Sequence, residues 1–186
     1  MANNSREFNV DMSLEKLMDR KRPLPSLEKH FTQGYENGIE RFYQALVNKL
    51  NENLNKYGLG NSKLASSARI TVTDDGIYIS MDSEYAMFVE YGTGVVGEGF
   101  SHPKANIHGW EYDTNQHGDK GWYYPTTEDD PNPTKRYKNG EWWAWTAGQE
   151  SKPFMYDTWL WATQSINNMI TSDINKELAK WESDMK

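Results

Sequence analysis

The sequence predicts an α+β fold: two long helices packed on a small antiparallel sheet, with a long aromatic-rich loop insertion. Two patterns lead to this prediction. Apolar side chains recur at helical spacing over residues 26–57 and again from residue 153 onward. Between these segments, apolar and polar residues alternate over residues 68–81, which is the period of β-strands with one buried face.

The chain length of 186 residues fits one domain, expected over residues 26–186 with the loop insertion at about 95–145. A polar N-terminal arm, residues 1–25, precedes it and ends in Arg22-Pro23-Leu24-Pro25. The two prolines are expected to stop any helix from running through the arm. The arm is interpreted either as a mobile segment that a partner orders or as simple terminal disorder.

The first helix has an apolar face that lasts for about eight turns, up to Tyr57. Ser26 is placed to cap its N-terminus, and Gly58 is placed to end it in the left-handed conformation. Gly34 and Gly38 weaken the helix and predict either a bend or a close backbone contact.

The alternating segment is interrupted by Asp74-Asp75-Gly76, which predicts two strands joined by a tight turn. Asp82-Ser83 then provides cap residues for a short helical turn that carries Tyr85 and Val89. Gly92-Thr93-Gly94 is expected to end that turn. This part of the chain is therefore read as a β-hairpin followed by one short helix.

Residues 92–140 are rich in Gly, Pro, Asn, Asp and His, and so long a connection without periodicity is usually functional or ordered by a partner. Within it, residues 121–124 and 135–137 look like short strands. Asn139-Gly140 predicts a two-residue hairpin turn that leads into a tryptophan-rich strand. The last helix begins near Pro153, a residue favoured in the first turn of a helix.

The composition excludes several kinds of chemistry. The chain has no cysteine, which rules out disulfides, thiolate nucleophiles, iron–sulfur clusters and cysteine-based zinc sites. A formal net charge of −7 argues against a broad basic face that grips duplex DNA, although DNA that slides past is compatible with it. No stretch approaches the roughly 18 to 20 consecutive apolar residues of a membrane-spanning helix, so a soluble protein made in the cytoplasm is expected.

Aromatic residues make up 13% of the chain, and most of them lie between residues 85 and 161. Tyr and Trp are enriched where proteins meet partners, so an interaction protein is favoured over a small-molecule enzyme. The cluster is either a sugar-stacking platform or a subunit interface. Strand alternation favours the interface, because a small sheet does not cover tryptophans on both of its faces. The predicted interface residues are Trp110, Trp122, Trp142, Trp143 and Trp145.

Glu90 can be imagined as a general acid, with Glu111 or Asp113 as its partner in a glycosidase-like pair. Nothing in the sequence fixes their separation, so the favoured reading is that Glu90 caps or salt-bridges the glycine turn that follows it. Residues 92–97 match the dinucleotide-binding fingerprint literally. The expected strand-to-helix context is missing, and a flexible glycine turn is the favoured interpretation.

Three histidines and two aspartates in the long loop belong to residue types that bind zinc and other divalent metals. They are His102, His108, His117, Asp113 and Asp119. Their spacing matches no defined metal site, and they lie in a predicted loop, so solvent-exposed histidines are favoured. No cofactor is predicted.

Two segments occur in a fixed order along the chain. The first, Tyr85-Ala86-Met87-Phe88-Val89-Glu90-Tyr91-Gly92-Thr93-Gly94, has the pattern YA-x-x-VE-[FY]-GTG. The second, Gly148-Gln149-Glu150-Ser151-Lys152-Pro153-Phe154-Met155, has the pattern G-x-x-x-x-PF[ML] and opens the last helix. Together with Ser62-Lys63-Leu64-Ala65-Ser66-Ser67, a polar-to-strand stretch similar to TG-x-L-x-x-S, they resemble a family of bacteriophage tail-completion and neck proteins.

The resemblance covers roughly residues 36–180. It departs from the family at Asn61-Ser62, where the family tends to have Thr-Gly, and in the long insertion at 97–140. The resemblance implies that a set of residues has structural or assembly roles, with no catalytic residue and no cofactor. These residues are Tyr85, Val89, Glu90, Gly92, Thr93, Gly94, Pro153 and Phe154.

The function that the resemblance implies is that of a structural virion component of a long-tailed phage, and not that of an enzyme. The chain would form a ring with itself, sixfold or twelvefold, at the head–tail junction or tail end. Its partners would be adjacent connector, tail-terminator or tail-tube proteins, with DNA passing through the channel and no membrane. It would be assembled in the host bacterial cytoplasm and reside in the virion tail or neck. The alternative is a carbohydrate- or cell-wall-acting module that uses the Trp cluster.

Overall fold

A computed structural model describes residues 24–73, 75–112 and 121–185, and the fold belongs to the predicted α+β class. The chain divides into two compact units, one formed by the part up to Lys49 together with the part from Thr158 onward, the other by Leu50–Asp157. The predicted N-terminal arm lies outside the described residues up to position 23. A single domain over residues 26–186 stays a prediction.

The described residues form six helices and five strands. The helices are α1 (Leu24–Lys56), α2 (Lys63–Ser67), α3 (Ala86–Tyr91), α4 (Gly94–Gly99), α5 (Ala105–His108) and α6 (Phe154–Asp184). The strands are β1 (Ala68–Thr73), β2 (Gly76–Met81), β3 (Trp122–Thr126), β4 (Arg136–Lys138) and β5 (Glu141–Thr146). None of these helices combines the length and the apolar character that crossing a bilayer requires.

Helix α1 begins earlier than the sequence predicts. It starts at Leu24 and takes Pro25 into its first turn, whereas the helix was expected to start after a cap at Ser26. A proline in the first turn loses no hydrogen bond, because the first amides of a helix have no partner inside it. The predicted end is confirmed, since Gly58 has a left-handed backbone with φ of 71°.

In the first unit, α1 and α6 lie unusually close together at the two glycines of α1. A Cβ added to Gly34 would lie 2.6 Å from the Cα of Ile174, and one added to Gly38 would lie 2.8 Å from the Cα of Ile170. Only a residue without a side chain allows backbones to approach this closely. Of the two predicted roles for these glycines, the close backbone contact is confirmed.

In the second unit, the β1–β2 hairpin packs on residues near the ends of the long helices. The hairpin pairs Ile70 with Ile79, as the alternation predicts. Buried residues from four helices form the core that it covers: Leu50, Leu54, Leu64, Ala86 and Phe154. Leu64 lies on α2, and the Ser62 hydroxyl caps the start of this helix. The stretch had been interpreted as a polar segment leading into a strand, and that interpretation was wrong, because it forms a short helix before β1.

The expected loop insertion at 95–145 is largely ordered structure. It contains α4, α5 and a three-stranded antiparallel sheet in the order β3-β5-β4. The predicted turn between β4 and β5 is confirmed, because Asn139 and Gly140 both have positive φ, at 54° and 88°. The central strand of this sheet is the tryptophan-rich segment.

Substituting Gly38 with alanine tests the close helix contact. In an exposed helix this change stabilises by about 1 kcal/mol, because alanine is the better helix former. Here we expect a loss of about 1 to 3 kcal/mol in the free energy of unfolding, because the new methyl group overlaps the Ile170 backbone. Urea unfolding measures it, with exposed Asn48→Ala on the same helix as the control. A more stable Gly38→Ala variant would contradict the close packing.

Candidate functional site

The two segments that carry the family resemblance meet at the side chain of Glu90, near the end of α3. Its Oε2 accepts a hydrogen bond from the Met155 amide at 3.0 Å, and its Oε1 accepts one from the Tyr156 amide at 2.8 Å. These amides belong to the first turn of α6, where backbone N–H groups lack partners within the helix and the helix dipole is positive. Glu90 therefore caps α6, and not the glycine turn that follows it in sequence.

Further hydrogen bonds hold the second segment along α3. The Lys152 amide donates to the Val89 carbonyl at 3.0 Å, and the Ser151 hydroxyl donates to the Glu90 carbonyl at 2.7 Å. Beyond α3, Thr93 and Gln149 exchange two backbone hydrogen bonds, at 2.9 and 3.0 Å. The two segments are thus joined at four successive places, and we call this contact the α3–α6 junction.

The glycines of the first segment are required by this close approach. Gly92 has a φ of 80°, and a Cβ there would lie 2.7 Å from the Ser151 amide nitrogen. Gly94 has a φ of 62°, and its Cβ would lie 2.5 Å from the Ala147 carbonyl oxygen. Side chains are disfavoured at both positions for reasons of conformation and of space. The predicted flexible glycine turn was wrong, because the segment is packed and continues into α4.

His102 completes the surroundings of Glu90, and it was not expected there. The imidazole is 4% exposed, and its Nε2 lies 3.2 Å from the Glu90 Oε1. The Lys104 amide donates to its Nδ1 at 3.0 Å, so the neutral ring carries its proton on Nε2 and donates that proton to Glu90. The prediction of an exposed loop histidine was wrong for His102, whereas His108 is exposed as predicted.

Burial shifts the titration of both groups. Removal of water raises the pKa of Glu90 to about 7, although the Met155 and Tyr156 amides oppose this by stabilising the carboxylate. Burial also lowers the pKa of His102, and the nearby His108 adds to the effect. A neutral imidazole therefore faces the carboxyl group at neutral pH, and no positive charge on it offsets the charge of Glu90.

Aromatic rings line the other side of His102. The Tyr91 ring lies 4.2 Å from the His102 ring and 4.9 Å from the Trp110 ring, between centroids. The Tyr91 hydroxyl contacts the His108 Nδ1, and the Trp110 indole donates to the Gly92 carbonyl at 3.1 Å. Trp110, predicted as an interface residue, therefore packs on the α3–α6 junction of its own chain.

The remaining predicted determinants have different environments. Phe154 is fully buried in the hairpin core, Val89 packs against that core, and Pro153 is partly buried just before α6. Tyr85 is exposed at the start of α3. Of the predicted assembly residues, Tyr85 is thus the one whose side chain is open to solvent.

The predicted interface tryptophans of the three-stranded sheet are only partly exposed. Trp142, Trp143 and Trp145 are half-buried, and so is Trp122, whose ring lies against Gly94. Two of the tyrosines of this sheet are more open, with Tyr137 at 61% and Tyr123 at 45% exposure, whereas Tyr124 is half-buried. Tyr123 and Tyr137 therefore offer more accessible aromatic surface here than the tryptophans do.

The geometry of the described residues does not support the hypotheses of a metal site or of a glycosidase-like pair of carboxyl groups. Asp113, His117 and Asp119 lie outside the described residues, and Glu111 is exposed. Within the ranges that the structure describes, no group of three or more His, Asp or Glu side chains is arranged to hold a metal ion. The groups that affect Glu90 are His102, Asp157 and the amides of α6.

Comparisons of the chain with protein-family models, with curated proteins and with solved structures find no match. The resemblance to tail-completion and neck proteins therefore stays a prediction.

Replacing Glu90 with alanine tests its capping role. The change leaves the Met155 and Tyr156 amides and the His102 Nε2 without their acceptor in a buried place. We expect the free energy of unfolding to fall by about 2 to 3 kcal/mol. Urea denaturation measures it, with the exposed neighbouring residue Glu150, changed to alanine, as the matched control. Equal stability of the two variants would show that Glu90 is not the cap.

Proposed function

We propose that this chain is a structural virion component of a tailed phage, a neck or tail-completion protein that assembles into a ring. What supports the proposal is the contact between the two motif segments. Glu90 of the first segment caps the helix that the second segment opens, and Thr93 of the first pairs with Gln149 of the second. A physical reason thus exists for both patterns to occur together, because each is incomplete without the other.

A non-enzymatic role is part of the proposal. The Glu90–His102 pair is the buried pair of titratable groups at the junction, and both imidazole nitrogens are engaged, one with Glu90 and one with the Lys104 amide. A general acid or base needs a nitrogen or oxygen directed at a substrate. The hydrogen bonds of this pair instead serve the contact between α3 and α6.

The partners of the proposal are further copies of this chain and the neighbouring connector, tail-terminator or tail-tube proteins, with DNA passing through the ring. The surface we propose for contacts between copies lies on the β3-β5-β4 sheet. The Tyr137 ring lies near the Trp142 ring, with centroids 5.2 Å apart and planes tilted by 59°, and Arg136 and Lys138, its neighbours along β4, are exposed on the opposite face of the sheet. Exposed aromatic and arginine side chains are the types that contribute most to binding at interfaces.

A carbohydrate-binding module is the second candidate, and one observation favours it. Tyr123 pairs with Trp145 across the sheet, and Pro125 pairs with Trp143, so these side chains share one face. However, the Arg136 guanidinium lies 3.9 Å from the centre of the Tyr123 ring and occupies one of its faces. That arrangement leaves less flat ring surface for a sugar, and we therefore prefer the interface.

The ring proposal predicts discrete, symmetric particles when the purified protein is imaged by negative stain, and a matching multiple of 21.6 kDa in solution. Tyr137→Ser should weaken assembly, because it removes the most exposed aromatic side chain of the proposed surface. Tyr78→Ser, which changes a 53% exposed tyrosine on the hairpin, is the matched control. A monomer whose Trp fluorescence responds to saccharides would contradict the proposal and favour the carbohydrate candidate.

The sequence predicts that deleting residues 98–138 leaves a folded, helix-rich subunit that no longer assembles, but point variants are the more specific test. The deletion would remove β3 and β4 from both edges of β5 and the Trp122 ring from Gly94. Loss of assembly would then report damage to the fold as well as to the surface.

A further inference from the structure

The sequence contains two Asn-Gly pairs, and the structure places them in different surroundings. Asn37-Gly38 lies in the interior of α1, and Asn139-Gly140 forms the turn between β4 and β5. Both asparagine side chains are exposed. An asparagine followed by glycine is prone to lose ammonia, because the glycine amide nitrogen can attack the side-chain carbonyl carbon of the asparagine. Glycine permits this attack best, since it has no Cβ to block the approach.

The turn between β4 and β5 leaves that reaction open. The ladder pairs Lys138 with Glu141, so the two turn residues lie beyond its last pair. Within the described residues, no backbone hydrogen bond from the Gly140 amide is found. A Cβ added to Gly140 would meet nothing within 4 Å, so there is free space around the turn. Rotation about the bond between the Asn139 Cα and its carbonyl carbon therefore disturbs only two exposed residues.

The packing of α1 closes the reaction at Asn37. An amide inside an α-helix bonds to the carbonyl four residues earlier, so the Gly38 nitrogen cannot turn toward the Asn37 side chain without breaking the helix. Gly38 is also buried, and a Cβ there would lie 2.8 Å from the Cα of Ile170. The Asn37 Oδ1 accepts a hydrogen bond from the Gln33 Nε2 at 3.1 Å, which holds the side chain along the helix.

We propose that Asn139 is a site of spontaneous backbone modification and that Asn37 is not. The Gly140 nitrogen forms a bond to the Asn139 Cγ and gives up its proton to water, while the side-chain nitrogen takes up a proton and leaves as ammonia. Water then opens the resulting succinimide ring. Opening at Cγ gives aspartate, and opening at the backbone carbonyl carbon gives isoaspartate. Water is the only other reactant, and the inference does not depend on the proposed phage function.

The two products differ in their effect on the hairpin. Aspartate keeps the backbone and, like asparagine, tolerates the left-handed conformation of position 139, where φ is 54°. Isoaspartate routes the chain through the former side chain and so lengthens the backbone of a two-residue turn by one carbon atom. Because the turn fixes the register of the strands that it joins, isoaspartate loosens the pairing of β4 with β5.

The direct test is to age the intact chain in warm, mildly alkaline buffer and to map its peptides by mass spectrometry at intervals. Exchange of the side-chain NH2 group for OH raises the peptide mass, and electron-transfer fragmentation distinguishes isoaspartate from aspartate. Asn37 in the same sample is the matched control, because glycine follows it too. We expect modification of Asn139 to be at least about tenfold faster, since reaction at Asn37 requires local opening of α1. An Asn139 that stays intact, or that reacts no faster than Asn37, would overturn the proposal.

The urea-unfolded chain shows whether the fold causes the difference. Unfolding frees both glycine amides, so the two asparagines should then be modified at similar rates. A tenfold difference that persisted in urea would contradict the proposal, because neighbouring residues in the sequence, and not the fold, would then select Asn139.

The variant Asn139→Asp separates the effects of the two products. It has the aspartate side chain on an ordinary backbone, so hydrogen exchange of the amides that pair β4 with β5 should match that of the fresh wild type. The aged fraction that contains isoaspartate should exchange at least about tenfold faster at these amides, because their pairing is loosened. Equal exchange in the fresh chain and in the isoaspartate fraction would overturn the predicted effect on the hairpin.

Discussion

The buried hydrogen bonds between the Glu90 carboxyl group and the first turn of α6 are the interaction on which the second unit of this protein depends. A helix that begins inside a protein needs acceptors for its first amides, because no water is there to supply them. Phe154, the first residue of α6, is fully buried. The chain meets the requirement with a side chain from α3, 65 residues earlier than Met155.

The capping of α6 by Glu90 constrains the residues around that side chain. Because the carboxyl group must reach the start of α6, the segment before α6 runs against α3, and glycines at 92 and 94 let the backbones approach. His102 supplies a neutral donor, the rings of Tyr91 and Tyr156 lie against its imidazole, and Trp110 stacks on Tyr91. Residues that look like separate features in the sequence, a GTG turn, a loop histidine and a Pro-Phe pair, are parts of one contact.

The periodic spacing of apolar residues predicted both long helices and the hairpin, and the Asn-Gly pair predicted the turn at Asn139-Gly140. Their signals are local, because each residue's neighbours a few positions away determine the pattern. The role of His102 could not be predicted, since no local pattern connects a histidine in a polar segment with a glutamate twelve positions earlier. Helix α4 was missed because Gly94 and Gly97 are poor helix formers, and here close packing outweighs that propensity.

Residue-resolved hydrogen exchange on Glu90→Ala tests most directly whether this one side chain organises the junction. The account predicts that the amides of Met155 and Tyr156 lose protection together with those of Thr93, Gln149 and Lys152, which bond elsewhere along the same contact. Amides that pair β1 with β2 should keep their protection, because Glu90 takes no part in their ladder. Loss confined to Met155 and Tyr156 would contradict the account, since Glu90 would then be a local cap and nothing more.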